Sequence, residues 1–212
     1  MFPRPASNGM SASSDTPVSV VFFGISGSGK GTQADLLERY LGNKDVARGV
    51  LRAEMGGLLR EFFNTGTPLA KRAQAVVNSG GLLPSFMPVF MLTDKLNASF
   101  KGSEHLILDG VCRRPVQSEL VDEIMRFYKR EDLKAVVLEL SPEGAKQRLT
   151  SRGRVDDAND AAMQRRFAWY TEQVVPAIET LEKLGWDILR INGDQDIQAV
   201  HKDILSGLGL SI

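Results

Sequence analysis

The sequence predicts an α/β domain in which a central parallel sheet is covered by helices on both faces. Two observations carry that reading. Four short runs rich in Val, Ile, Leu or Phe, namely Val18–Phe23, Glu104–Leu108, Lys134–Leu140 and Asp187–Ile191, have the length and composition of buried strands. Longer helix-like segments separate them, so the strands cannot close as hairpins and must be joined by crossovers, which set neighbours parallel. Sheets of this kind bind ligands at the carboxyl ends of their strands, so function is expected at the strand-to-helix turns.

Helix starts are marked by local chemistry. Thr67 before Pro68, Ser141 before Pro142 and Glu143, and Asn159 before Asp160 each offer a side-chain oxygen to free backbone N–H groups. The last long helix carries Met163, Phe167, Tyr170, Val174, Ile178 and Leu181 at three- and four-residue steps, a stripe expected to face the sheet, with a kink at Pro176.

Composition narrows the function classes. A chain of 212 residues that is 42% hydrophobic and 25% charged can bury one globular core. Its 26 Lys and Arg balance 26 Asp and Glu, so no long-range field gathers nucleic acid or an anionic membrane. No run approaches the ~18 apolar residues of a membrane span. The single Cys112 cannot form an intrachain disulfide, which points away from small secreted scaffolds and toward a reducing, cytoplasmic setting, with Cys112 as a packing residue. Residues 1–17, holding Pro3, Pro5, Pro17, several Ser and Arg4 as their one basic residue, read as a disordered extension. The domain is expected over 18–212.

The most informative stretch is Gly24-Ile25-Ser26-Gly27-Ser28-Gly29-Lys30-Gly31-Thr32-Gln33, between the first strand and a helix-like run through Tyr40. Glycines let backbone N–H groups curl around a polyphosphate at close range, and the helix N-terminus adds about half a positive charge. Lys30 adds a full one. The common phosphate loop puts Ser or Thr directly after Lys, whereas here Gly31 intervenes before Thr32. The pattern implies nucleotide triphosphate binding on a three-layer P-loop fold, without by itself choosing a reaction.

A second set of residues selects among reactions. Leu106-Ile107-Leu108-Asp109-Gly110 is a buried-strand pattern ending in an acid, where a carboxylate can hold Mg2+ or its waters beside phosphates. Arg113, Arg114, Arg148, Arg152, Arg154, Arg165 and Arg166 follow. Phosphoryl transfer gives the protein little covalent work, so its rate depends on alignment and on stabilising charge, both of which arginine supplies.

With these motifs in order, the chain resembles the nucleoside monophosphate kinases, most closely adenylate kinases of the short-lid type. The family loop G-x-P-G-x-G-K-G-T-Q is matched except that Ser26 replaces the proline. The family's S/T-G-D-x-L-R segment is placed at Arg48-Gly49-Val50-Leu51-Arg52, G-x-L-V-P at Gly80-Gly81-Leu82-Leu83-Pro84, and D-G-F-P-R at Asp109-Gly110-Val111-Cys112-Arg113, followed by Gln117. Gln147-Arg148-Leu149, Arg152-Gly153 and Arg154-Val155-Asp156-Asp157 resemble the two sides of the lid, and Arg166 aligns with the arginine of the next helix.

The resemblance implies reversible transfer of the terminal phosphoryl group of Mg-ATP to AMP by a monomer, with a helical acceptor-binding insertion at about 47–79 and a very short lid at about 152–158. It assigns ATP to Gly27, Ser28, Gly29, Lys30, Gly31, Thr32, Arg148, Arg152 and Gly193. AMP falls to Arg48, Arg52, Leu82, Leu83, Arg113 and Gln117. Catalysis falls to Lys30, Arg113, Arg154 and Arg166, and Mg2+ to Thr32 and, through water, Asp109. Arg48 stands where the family has a small residue, which leaves a UMP/CMP-type kinase as an alternative acceptor specificity. Val111 and Cys112, in place of Phe and Pro, leave open a nucleotide-binding module with weak or no transfer.

Between Arg152 and Arg154 the expected lid keeps only Gly153. A lid this short predicts leakage to water, read as inorganic phosphate formed from ATP without acceptor, or else faster product release. Hydrolysis at background alongside full transfer contradicts the leakage.

Overall fold

The structure is a computed structural model and describes residues 16–152 and 160–210. The expected extension, except residues 16–17, and the expected lid, except residue 152, lie outside the described residues. Five parallel strands run in the order β2-β3-β1-β4-β5. They are β1 (Ser19–Gly24), β2 (Val50–Glu54), β3 (His105–Asp109), β4 (Leu133–Glu139) and β5 (Asp187–Asn192). Four lie within a residue or two of the sequence-predicted strands. β2 is the additional one, and its alternating, half-buried pattern with Arg52 and Glu54 gives it no apolar run to read.

The helices are α1 (Lys30–Lys44), α2 (Met55–Asn64), α3 (Pro68–Asn78), α4 (Phe86–Ser99), α5 (Pro115–Phe127), α6 (Pro142–Arg152), α7 (Asp160–Trp169), α8 (Val175–Lys183) and α9 (Ile197–Gly207). Because successive strand residues face opposite sides, the central strands bury two separate sets. Val20, Phe22, Ile107, Val136 and Leu138 pack with Leu37 and Leu41 of α1 and Val200 and Ile204 of α9. Val21, Phe23, Leu106, Leu108 and Val137 pack with Leu92 of α4, Val121 and Met125 of α5, and Ile178 and Leu181 of α8. The result is the expected three layers.

The cap chemistry works as the sequence implies at two of its three sites. Ala70 N–H donates to Thr67 Oγ1 at 3.2 Å, and Gly144 N–H to Ser141 Oγ at 3.1 Å; Asn159 lies outside the described residues. The long helix expected across Met163–Leu181 is interrupted just ahead of Pro176 by a π-helical turn at Tyr170–Val174. Proline has no N–H to continue the ladder, and the wider turn accommodates the missing bond.

His105 opens β3 and is 5% exposed. Its Nδ1 accepts the Val18 N–H at 3.0 Å, and its Nε2 lies 3.4 Å from an Asp45 carboxylate oxygen. Burial lowers its pKa, with Asp45 acting in the opposite direction. Below its ordinary pKa of about 6.5 the unfolded chain therefore takes up the proton first. Stability is fully present above that value, falls as pH drops through it, and levels off below the folded-state pKa. Asn at this position keeps an acceptor for Val18. The Tm of His105→Asn should gain on that of the parent protein between about pH 7.5 and 5.5; a gap independent of pH contradicts a neutral buried imidazole.

Candidate active site

The carboxyl ends of the strands open into a cleft of about 1600 Å³, lined by the loop after β1, the ends of β2 and β3, and residues of α6, α7 and the β5–α9 turn. The loop is curled by glycines at positive φ, Gly27 at 89° and Gly29 at 96°. Ser28 N–H closes the curl on Ile25 O at 3.0 Å. Gly27 is also required sterically, because a Cβ there would lie 2.7 Å from Ala145 O of α6. Lys30 folds back over the loop, its ammonium donating to Gly24 O at 2.7 Å and Ile25 O at 3.1 Å. Gly31 and Thr32 line the same wall.

Asp109, 7% exposed, ends β3 on the cleft floor. Burial pushes its pKa up, while the charges of Lys30, Arg52 and Arg113 pull it down. Arg148 donates to Gly193 O at 2.9 Å. The Gly193 N–H donates to Glu139 O at 2.7 Å, so α6 and the end of β5 are joined across the cleft rim. Arg113, Arg166 and Gly193 line the cleft as well.

A smaller pocket adjoins it, lined by Met55, Leu82, Leu83, Arg113 and Gln117 among others. Gln117 is 2% exposed. Its Oε1 accepts the Arg113 N–H at 2.8 Å, and its Nε2 donates to Ser85 O at 3.4 Å, so one side chain fixes both the start of α5 and the entry to α4. Burial pushes the Cys112 thiol up to about 12, which keeps it protonated and suits a packing residue. Among the described residues no peptide bond is cis.

Two residues expected at the acceptor differ in where the fold places them. Arg48 precedes β2, at the opposite end of the strand from the cleft; its Nε pairs with Asp45 at 2.8 Å and its Nη1 reaches Ser103 O at 3.4 Å. Arg52 borders the cleft but is held from below: it pairs with Asp35, lies 3.4 Å from Glu38 and 3.8 Å from Asp109. It joins α1 to the sheet. The side chain of Arg152 and all of Arg154 lie outside the described residues.

A further arginine at the cleft, not singled out from the sequence, is Arg60. Gly56-Gly57-Leu58-Leu59-Arg60, in the first turns of α2, keeps the spacing of G-D-x-L-R without the gap needed at Gly49–Arg52. Arg60 lines the cleft, and its Nη2 lies 3.4 Å from both carboxylate oxygens of Glu54. Counting that spacing along the chain would have found it.

The observed loop makes Gly27→Ala a direct test. Alanine would be strained at this φ and would meet a backbone carbonyl, a cost of about 1–3 kcal/mol. Mg-ATP affinity should fall by about five- to 150-fold; unchanged affinity contradicts a loop that needs this curl.

The family model for adenylate kinase matches residues 22–186. The adenylate kinase of Synechococcus sp. (strain RCC307) is 32% identical over 189 residues, covering 89% of this chain and 97% of its own. That of Prochlorococcus marinus (strain MIT 9211) is 30% identical over 191 residues, covering 90% and 97%. That of Thermus thermophilus is 30% identical over 200 residues, covering 92% and 100%. A match across most of the chain, on a parallel sheet whose phosphate loop opens into an arginine-lined cleft, makes this chain a member of the adenylate kinase family.

Proposed function

We propose that this chain transfers the terminal phosphoryl group of Mg-ATP to AMP, reversibly, giving two ADP. The observation that carries the reading is one cleft that brings the phosphate loop, Asp109 and a ring of arginines from separate elements together. In this reading Lys30 and the loop amides hold the donor phosphates, and Lys30 exchanges its two loop carbonyls for phosphate oxygens. Arg60 and Arg113 hold the acceptor phosphate. Arg148 and Arg166, with Arg152 and Arg154 from the lid, neutralise charge at the point of transfer. Arg148 and the Gly193 backbone flank the donor base, while Leu82, Leu83 and Gln117 flank the acceptor base.

The donor set suits Mg2+. Among the described residues no cluster of acidic, His or Cys side chains forms a cage, and Mg2+ bound with phosphates keeps waters and needs only one or two protein oxygens. Asp109 would hold it through water and Thr32 through its hydroxyl, and the ion would neutralise charge developing on the phosphates. The reaction asks for no nucleic acid or membrane, and among the described residues no helix is long and apolar enough to cross one. The site needs no second copy of the chain, which suits a monomer, and the free, buried Cys112 suits a cytoplasmic enzyme. Arg48 pairs with Asp45 and is not among the residues lining the cleft, which does not favour a pyrimidine acceptor.

Steady-state kinetics test the assignment. Lys30→Met should lower kcat by at least about two orders of magnitude, and a drop of only a few-fold contradicts the role of Lys30. Arg60→Ala should raise KM for AMP more than tenfold with KM for ATP unchanged, while Arg48→Ala leaves both unchanged. The reverse pattern would return the acceptor contact to Arg48.

A further inference from the structure

Arg113 stands in an unfavourable place for a cation. Burial works against its charge, Asp109 supports it, and the neighbouring Arg166 opposes it. The group beneath it is the indole of Trp169, whose ring centre lies 5.4 Å from the guanidinium carbon. That ring is itself fixed: its Nε1–H donates to Gly80 O at 2.9 Å. Gly80 is pinned in turn, with φ at 77° and room for no Cβ, since one would lie 2.6 Å from Ala162 O of α7. Arg165, one turn before Trp169, donates to Ser79 O at 2.6 Å. Thus α7 grips two consecutive carbonyls at the end of α3, and the gripping side chain is the surface on which Arg113 rests.

We propose that Trp169 is a positioning residue that holds the Arg113 guanidinium for the acceptor phosphate and ties it to the Ser79–Gly80 turn bordering the acceptor pocket. This deepens the proposed transfer to AMP and rests on it. A ring face attracts a cation without contributing hydrogen-bond acceptors. Arg113 is therefore held while its N–H groups remain available to phosphate oxygens, which a carboxylate partner would occupy. The same helix carries Arg166, so Trp169 also sets the spacing between two like charges that a phosphate can bridge.

The test compares Trp169→Phe, which keeps an aromatic face, with Trp169→Leu, which removes it. Trp169→Leu should raise KM for AMP by about tenfold, the scale of a desolvated cation–π contact. KM for ATP should stay within about twofold. Trp169→Phe should recover most of the loss, and in an Arg113→Ala background Trp169→Leu should change KM for AMP less than about twofold. Thermal melts identify variants that fail to fold; Trp169→Met, a better filler of the space, then replaces Trp169→Leu.

An unchanged KM for AMP in Trp169→Leu overturns the inference, as does a Phe variant as impaired as Leu, or additive losses with Arg113→Ala. A parent protein that transfers to no monophosphate overturns the proposed function instead, and the inference with it.

Discussion

The cleft is governed by one electrostatic constraint: several cations and a buried carboxylate must share a partly desolvated space before any phosphate arrives. Asp109 is pushed toward neutrality by burial and held back by Lys30, Arg52 and Arg113. Each positive group in turn has a local means of staying in place. Lys30 is bound by loop carbonyls, Arg52 by Asp35 and Glu38, Arg60 by Glu54 and Arg113 by the Trp169 ring. Charged side chains left unpaired in such a place are costly, so the engagement of the more buried Arg52 and Arg113 matters most, while the Arg60 pair is largely exposed. Nucleotide phosphates can replace several of these partners with stronger ones.

The fold makes that arrangement possible. A parallel sheet brings all its carboxyl ends to one edge, so the phosphate loop after β1 sits between the acid ending β3 and the arginine helix after β4. Close backbone approach then sets the spacing. Gly27 lets α6 press on the loop, Gly80 lets α7 press on the end of α3, and Gly193 lets the β5 turn press on Glu139. At all three a Cβ would meet a carbonyl oxygen at under 3 Å, so the relative placement of these elements depends on glycine.

Features that depend on local chemistry are legible in the sequence. The four apolar strands, the loop and the Thr67 and Ser141 caps are encoded within a few residues of where they act. What depends on tertiary placement is harder to read. β2 is half-buried and carries Arg52 and Glu54, so it lacks an apolar signature. Without that strand in view, the family's G-D-x-L-R segment is read upstream at Arg48 and Arg52, although the same spacing at Gly56–Arg60 is there to be counted. Trp169 reads as a packing aromatic until Arg113 and Gly80, distant in sequence, are seen to meet on it.

The most direct measurement is 31P NMR of the full chain with Mg-ATP, first alone and then with AMP, UMP, CMP or GMP. A cleft whose cations are poised for two nucleotides predicts ADP formed rapidly with AMP, and far more slowly with the other acceptors. ATP that binds but yields no new diphosphate with AMP would contradict phosphoryl transfer to AMP.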